Sequence, residues 1–138
     1  MEQSTRAATL IYRYCSTFPE YLLVSSNSDL NRFVLPGGRV DPGELPQEAA
    51  VREAREEAGA RVQVRRRLGI YDHLKTSGVV VPTSVYLAEC LDLNQSPESR
   101  KIRWVTCSDL QKHSLGLQSR VVQILELADT RLKYTRVP

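Results

Sequence analysis

Residues 38–60 read GRVDPGELPQEAAVREAREEAGA, and this stretch decides what is expected of the rest of the chain. It places Glu53, Glu56 and Glu57 at positions i, i+3 and i+4, which lie on one face of an α-helix. Carboxylates crowded in this way raise one another's pKa and destabilise a fold. A bound divalent cation reverses that effect. The stretch therefore predicts a metal-binding helix, with a fourth acid, Glu44, ahead of it.

The helix is predicted over residues 45–58. Ala, Glu and Arg, which favour helices, predominate there, and Pro46 lies in the first turn, where its missing N–H breaks no helical hydrogen bond. Gly59 follows the last turn and can adopt the left-handed conformation that caps helices. Most of the apolar positions are alanines, so this face of the helix can lie close to a β-sheet while the other face carries the acids.

The residues before the helix, LPGGRVDPG at 35–43, predict an ordered loop. Its glycines allow backbone carbonyls to approach an ion or a ligand closely. Oxygen ligands of this kind suit Mg²⁺ or Mn²⁺ rather than zinc. Magnesium held by a few carboxylates usually shares its shell with substrate phosphates. The sequence therefore predicts metal-assisted phosphate chemistry.

The alternative is a solvated surface helix in which Arg52 and Arg55 pair with the glutamates, and the fixed intervals across the whole stretch argue against it. The stretch resembles the signature of Nudix hydrolases, Gly-x5-Glu-x7-Arg-Glu-U-x-Glu-Glu-x-Gly-U, where U is a bulky aliphatic residue. It agrees with that signature at every charged and glycine position. The departures are Ala54 and Ala60, which are small residues at the aliphatic positions.

This resemblance implies an α+β fold, an α/β/α sandwich with a mixed β-sheet. It also implies a hydrolase that uses Mg²⁺ or Mn²⁺ to cleave a nucleoside diphosphate linked to another group, X, by attack of water on phosphorus. Non-catalytic Nudix binding modules typically lose glutamates of the signature. This chain keeps all four, so the resemblance favours an enzyme.

The resemblance also implies roles for individual residues. Glu56 and Glu57 would be the principal metal ligands, Glu53 a further ligand or a base, and the carbonyl of Gly37 or Gly38 would complete the protein's share of the shell.

Three more residues have expected roles. Arg52 would orient a glutamate, above all Glu56. Glu44 would bind the metal through water or brace the loop. For a general base outside the signature, Glu98 in a polar loop is preferred to Glu89 at the end of a strand.

Outside the signature, the chain resembles the diphosphoinositol polyphosphate phosphohydrolases, which also act on diadenosine polyphosphates. The similar segments are Arg6-Ala7-Ala8, residues 22–26, Arg32 ahead of an aromatic residue, and Arg100-Lys101 before Arg103-Trp104. A departure is Gly38-Arg39-Val40, where that subfamily has a third glycine and a methionine. The residues expected to bind substrate phosphates are Arg6, Arg32, Arg39, Arg100 and Lys101.

Two other substrate classes stay open. A nucleoside triphosphate pyrophosphohydrolase that sanitises the nucleotide pool would need an Asn or Asp to recognise the base edge, and Asn27, Asn31 and Asn94 cannot be assigned to that task. Removal of a 5′ pyrophosphate from RNA would need aromatic and basic residues interleaved, which are not evident. The expected partner is therefore a small phosphorylated molecule rather than a nucleic acid.

The composition fits one globular domain over residues 1–138, with 41% hydrophobic and 25% charged residues. No apolar run long enough to span a bilayer and no signal peptide are evident. The three cysteines, Cys15, Cys90 and Cys107, are scattered as in a reduced, cytoplasmic protein. Residues 1–60 hold 6 basic and 9 acidic residues, and residues 61–138 hold 13 and 7, which suits an anionic substrate. A monomer and a homodimer are both left open.

The hydrophobic pattern predicts strands over residues 7–14, 21–25, 33–35, 61–71, 78–91 and 102–105, with a break or bulge at Pro82. A turn or short helix is expected at Ser108 or Asp109, and a helix over residues 117–128. The last ten residues are expected to fray.

Overall fold

A mixed seven-stranded β-sheet runs through the part of the chain that the computed structural model describes, residues 5–26, 31–75, 77–112 and 119–135. In chain order its strands are β1 (Arg6–Cys15), β2 (Phe18–Ser25), β3 (Phe33–Val34), β4 (Gly37–Arg39), β5 (Ala60–Leu74), β6 (Val80–Leu93) and β7 (Ile102–Val105). β1 is central, since it pairs in parallel with β6 and antiparallel with β2 and β4. The strand order is β3-β2-β1-β6-β5, with β7 paired to β2. The mixed sheet predicted from the sequence is confirmed.

Helices cover both faces of this sheet. Along β1, Leu10 packs in a buried cluster with Leu125 and Ala128, whereas its neighbour Ile11 packs in another cluster with Ala54. Successive side chains of a strand point to opposite faces, so the two helices that contribute these residues lie on opposite sides. The described helices are α1 (Pro46–Ala58), α2 (Cys107–Lys112) and α3 (Ser119–Thr135). The α/β/α layering is confirmed.

α1 lies close to the sheet because small residues form its inner face. Ala49, Ala50 and Ala54 are fully buried. The Thr9 hydroxyl of β1 donates a hydrogen bond to the Ala50 carbonyl at 2.9 Å, although that carbonyl lies within the helix. This contact fixes α1, and the acids it carries, relative to the centre of the sheet.

Both ends of α1 follow the local sequence. The helix begins at Pro46, one residue later than predicted, and the Leu45 N–H donates to Glu48 Oε1 at 2.9 Å. At the other end, Gly59 has a φ of 69° and its N–H donates to the Arg55 carbonyl at 3.0 Å. The left-handed cap predicted for Gly59 is confirmed.

A buried hydrogen bond ties α3 to β2. The Tyr21 hydroxyl donates to Asp129 Oδ1 at 2.7 Å, and the two residues are 0% and 6% exposed. Burial, and then the hydrogen bond to Asp129, raise the pKa of Tyr21 above its ordinary value. The phenol therefore stays protonated and acts as the donor.

The C-terminal helix is longer than the sequence predicted. It was expected to end at residue 128 and to be followed by frayed chain, but α3 continues to Thr135. Leu132 is buried, as are Ala128 and Ile124, so the spacing of four residues simply carries on. Leu117 and Asn27 lie outside the described residues. Among the described residues, no helix has the length and apolar composition needed to cross a membrane.

Two local predictions about the strands are wrong. Residues 37–39 form a strand rather than a loop, because their backbone pairs with the start of β1. β6 runs through Pro82, which pairs with Asp72 of β5 in register. At Pro82, β6 has not yet reached β1, whose pairing starts at Thr83, so its missing N–H is tolerated there. The irregularities fall elsewhere in the β5–β6 pair, and the first lies between Arg61 and Val62.

Candidate metal and active site

Two glycines of β4 bring its backbone against the acidic face of α1. The Gly37 N–H donates to Glu57 Oε1 at 3.0 Å. A Cβ built on Gly38 would lie 2.6 Å from Glu53 Oε1, which is too close for any side chain. Glycine is therefore needed for the Glu53 carboxylate to rest on the strand. The carbonyls of Gly37 and Gly38, predicted as metal ligands, belong to this same stretch of backbone.

Three carboxylates converge beside β4. Glu53 and Glu56 come from α1 and Glu98 from the loop after β6, and each places an oxygen within 4.8 Å of the other two. The side chain of Glu53 is 12% exposed, whereas those of Glu56 and Glu98 are 35% and 39% exposed, so the cluster is closed at Glu53 and open at the other two acids. A set of oxygen donors of this kind fits Mg²⁺ or Mn²⁺. The structure thus brings together two of the predicted ligands and the predicted base.

Glu57, the third predicted ligand from α1, is 5% exposed. Its Oε1 accepts the hydrogen bond from Gly37, and its Oε2 lies 3.2 Å from Arg100 Nη2. Burial raises the pKa of Glu57 to about 7, against the effects of the Gly37 N–H and of Arg100, and the charges of Glu53 and Glu98 add to the rise. A cation beside this group would favour its charged form.

Arg52 connects four parts of the site. Its Nε and Nη2 donate to Glu44 at 2.8 and 3.0 Å, and its Nη1 donates to Glu53 at 2.9 Å and to Glu56 at 3.1 Å. Nη2 also donates to the Arg39 carbonyl of β4 at 3.0 Å. The sequence predicted Glu56 as the main partner of Arg52, but the paired bonds go to Glu44, because its carboxylate faces the planar fork of the guanidinium.

Glu44 is held in the turn before α1. Its Oε1 accepts hydrogen bonds from Arg52 and, at 3.0 Å, from the Asp41 N–H. The hydrogen bond from Arg52, and then that from Asp41, lower the pKa of Glu44 to about 2. This placement fits the predicted role of bracing the loop. The other predicted role, binding metal through water, has no support from these contacts.

Arg100 lies among the acids rather than free beside them. Its Nη2 is 2.9 Å from Glu98 Oε1 and 3.2 Å from Glu57 Oε2, and its Nη1 donates to the Ser25 carbonyl at 3.2 Å. The side chain is only 11% exposed. Arg100 therefore neutralises the acidic cluster in this structure, and its predicted role as a phosphate ligand stays a prediction.

Of the other predicted phosphate ligands, Arg6 lies within electrostatic reach of the acids. Arg6 is half-buried, and burial lowers its pKa while the nearby charges of Glu57 and Glu53 oppose that change. On the sheet, Arg6 lies directly opposite Arg39 of β4. Lys101 is exposed next to Arg100.

The charges of several basic residues act on His73 of β5. Burial lowers its pKa, and the charges of Arg6, Arg32 and Lys75 lower it further. Arg32, a predicted phosphate ligand, thus lies in the same electrostatic neighbourhood as Arg6. The place of His73 on β5 follows from the register of the strand, which pairs it with Val81 of β6.

The loop after β6 contains contacts that the sequence analysis missed. The Ser96 hydroxyl donates to the Glu57 carbonyl at 2.7 Å, and the Asn94 N–H donates to the Gly59 carbonyl at 2.8 Å. The first bond ends on the last turn of α1, and the second ends on its capping residue, Gly59. A polar segment, NQSPES, carries no periodicity that could have revealed them. Glu89, the alternative base, instead pairs with Arg65 on the β5–β6 ladder.

The chain is similar to a known protein family along most of its length. The sequence model described as the NUDIX domain matches residues 4–125. Human diphosphoinositol polyphosphate phosphohydrolase 3-alpha is 36% identical over 112 residues, covering 78% of this chain and 66% of that protein. The mouse protein of the same name is 45% identical over 67 residues, or 49% of this chain and 40% of that protein. The chain thus spans between about two fifths and two thirds of the length of these curated relatives.

Solved structures resemble the fold along nearly its whole length. A Caenorhabditis elegans Ap4A hydrolase in a binary complex has a TM-score of 0.75 and 24% identity, covering 94% of this chain and 97% of that one. A point mutant of the Bacillus subtilis pyrophosphohydrolase BsRppH has a TM-score of 0.71 and 22% identity, covering 99% of this chain and 85% of that one. At these identities, the likeness is one of fold.

Proposed function

This chain belongs to the NUDIX domain family, and from that membership we propose that it is a hydrolase, dependent on Mg²⁺ or Mn²⁺, that cleaves phosphoric anhydride bonds. The observation that carries the proposal is the cluster of Glu53, Glu56 and Glu98, whose carboxylate oxygens lie within 4.8 Å of one another. The guanidiniums of Arg52 and Arg100 offset part of the negative charge, and a bound cation would offset more of it. The cluster is well suited to a hard cation that shares its shell with phosphate oxygens.

The residues divide between holding the cation and moving a proton. Glu53, Glu56 and Glu57 would hold the cation together with a carbonyl of Gly37 or Gly38. When bound, the cation supplies Lewis-acid polarisation of the phosphoryl oxygens. Glu53 remains the second candidate for the base, since it belongs to the same cluster.

We assign the proton transfer to Glu98, the more exposed member of the cluster. The oxygen of water forms a bond to one phosphorus of the anhydride, and the bond from that phosphorus to the bridging oxygen breaks. The proton of the attacking water passes to the Glu98 carboxylate. The leaving phosphate departs with the bridging oxygen and its electron pair.

The surrounding charges favour a substrate with several phosphates. Arg6 lies within electrostatic reach of the acids, and Arg32, Arg39 and Lys101 are further cations that could bind phosphates beyond the scissile pair. The human relative at 36% identity is described as a diphosphoinositol polyphosphate phosphohydrolase. We therefore propose dinucleoside polyphosphates or inositol pyrophosphates as the substrate class.

A substrate panel with product identification tests this function. Diadenosine polyphosphates, an inositol pyrophosphate, ADP-ribose and an oxidised nucleoside triphosphate would be incubated with Mg²⁺ or Mn²⁺ in ¹⁸O-labelled water. We expect hydrolysis of the long phosphate chains, one ¹⁸O in a product phosphate, and no turnover in excess EDTA. Undiminished turnover in EDTA would contradict the metal mechanism. Preference for the oxidised nucleotide would move the substrate class to pool sanitation.

A further inference from the structure

The segment 94–100, here called the Glu98 loop, lies against the C-terminal end of α1. The Asn94 N–H donates to the Gly59 carbonyl at 2.8 Å. A Cβ built on Gly59 would lie 2.1 Å from the Asn94 carbonyl oxygen. Gly59 is therefore required twice, once by its φ of 69° and once by the close approach of the loop. The glycine that closes the acidic helix also admits the loop that carries Glu98.

Ser96 forms the centre of this contact. It is 8% exposed, and its hydroxyl donates to the Glu57 carbonyl at 2.7 Å, with the Glu56 carbonyl at 3.2 Å. The same oxygen accepts a hydrogen bond from the Glu98 N–H at 3.2 Å. The last carbonyls of a helix have no partners within the helix. The Ser96 hydroxyl supplies a partner for two of these carbonyls, and its oxygen also accepts the hydrogen bond that holds the Glu98 backbone.

This contact sets where the Glu98 carboxylate can be. The Glu98 N–H also lies 3.4 Å from the Glu56 carbonyl, so the backbones of these two residues are held together. Their side chains meet, with that of Glu53, in the acidic cluster. Arg100 also binds the Glu98 side chain, at 2.9 Å, but the same guanidinium binds Glu57. This contact alone therefore does not determine which acid Glu98 faces.

We propose that Ser96 is a positioning residue, whose hydroxyl fixes the Glu98 loop on the end of α1 and thereby places the Glu98 carboxylate beside Glu53 and Glu56. The inference rests on the proposed function of that cluster as metal site and base. It assigns the task to a buried residue outside the Nudix signature, whose hydroxyl is bonded to the backbone of α1. Groups that orient the ligands of a metal site are worth about ten- to a hundredfold in metal affinity or activity.

The test compares Ser96→Ala with Ser96→Thr, which keeps the hydroxyl, and with Ser99→Ala as the matched control. Ser99 belongs to the same loop, but its side chain is exposed. Three quantities would be measured: Mn²⁺ affinity from the EPR signal of free Mn²⁺, kcat on the best substrate of the panel, and hydrogen exchange of the Glu98 amide. We expect Ser96→Ala to lose about ten- to a hundredfold in kcat and to exchange the Glu98 amide faster. Its Mn²⁺ affinity should change little, because Glu98 is not among the residues proposed to hold the cation. Ser96→Thr and Ser99→Ala should stay close to wild type.

A double-mutant cycle with Glu98→Gln separates positioning from a general loss of structure. If Ser96 acts through Glu98, Ser96→Ala should change kcat little once Glu98→Gln is present. Fully multiplicative losses, or a folded Ser96→Ala with wild-type values in all three measurements, would overturn the proposal. Should Ser96→Ala not fold, Ser96→Cys replaces it with the same two outcomes, since a thiol is a weaker donor.

Failure of the proposed function gives a different result. A wild-type protein that hydrolyses nothing in the panel contradicts the hydrolase. The exchange rate of the Glu98 amide still reports whether Ser96 holds the loop, and it needs neither substrate nor cation.

Discussion

Arg52 and Glu44 form a paired hydrogen bond, Nε to Oε2 at 2.8 Å and Nη2 to Oε1 at 3.0 Å, although they are eight positions apart in the chain. The same guanidinium reaches Glu53, Glu56 and the Arg39 carbonyl. Three segments, the turn before α1, the helix itself and β4, are thus fixed to one another through one planar group. Glu44 serves this arrangement as the anchor of Arg52.

The first prediction follows from that geometry. Arg52→Lys keeps the charge but cannot form the paired bond and reach two further acids at once. We expect kcat and Mn²⁺ affinity to fall by about ten- to a hundredfold. Arg55→Lys, on an exposed position of the same helix, is the matched control and should change neither. Kinetics and Mn²⁺ titration of both variants check this, and equal behaviour of the two would contradict it.

The second prediction concerns the charge of the acidic face. Glu56→Gln or Glu57→Gln keeps the shape of the side chain and removes one ligand charge. We expect kcat to fall by at least about a hundredfold, while the fold survives. Glu48→Gln, an exposed acid of the same helix, is the control. If both variants turn over near the wild-type rate, the metal site lies elsewhere.

The third prediction concerns the metal-free protein in EDTA. The pKa of Glu57 is raised from 4.5 to about 7, so the folded protein holds this proton more tightly than the unfolded chain. Its contribution to the free energy of unfolding is therefore fully present below pH 4.5 and is lost as the pH rises through about 7. We expect Glu57→Gln to gain stability relative to wild type over this interval.

Thermal or urea unfolding of wild type, Glu57→Gln and Glu48→Gln between about pH 4.5 and 7.5 measures the effect. The difference between wild type and Glu57→Gln should grow with pH across this interval. A constant difference for Glu57→Gln would show that its carboxyl titrates as in the unfolded chain.

The fourth prediction separates two kinds of cation. Arg32→Ala and Lys101→Ala should reduce kcat/KM for a dinucleoside polyphosphate by about ten- to a hundredfold each, with little effect on ADP-ribose, which lacks the extra phosphates. Arg100→Ala should reduce kcat/KM on both substrates, because Arg100 is bound to Glu57 and Glu98. Arg61→Ala, an exposed cation of β5, is the control. Equal losses on both substrates for Arg32→Ala and Lys101→Ala would remove the polyphosphate assignment.

The sequence predicted best where side chains repeat at regular intervals. The spacing of Glu53, Glu56 and Glu57 predicted one helix face, and α1 is found within one residue of its expected bounds. β4 was missed because Gly37 and Gly38 have low strand propensity. Their pairing with β1 depends on backbone hydrogen bonds that no side-chain pattern reveals.

The partners of long polar side chains could not be predicted from spacing. The sequence shows that Arg100 and Glu98 are close in the chain, but whether the guanidinium turns to the acids or to a substrate depends on how the loop meets α1. The contact between the loop and α1 depends on the Ser96 hydroxyl and on the absence of a side chain at Gly59. Such contacts between distant segments are tertiary information.

The edge strand of the sheet affects whether copies of this chain aggregate at high concentration. β5 is fifteen residues long and, in the described part of the chain, pairs only with β6. A long, regular edge strand can pair with a strand of another molecule and so begin an intermolecular sheet. Here the pairing register shifts at Arg65 and again at Leu68, and Arg61, Arg66 and Arg67 are exposed along the strand. The shifts in pairing register and the repulsion between exposed arginines together oppose aggregation through this edge strand.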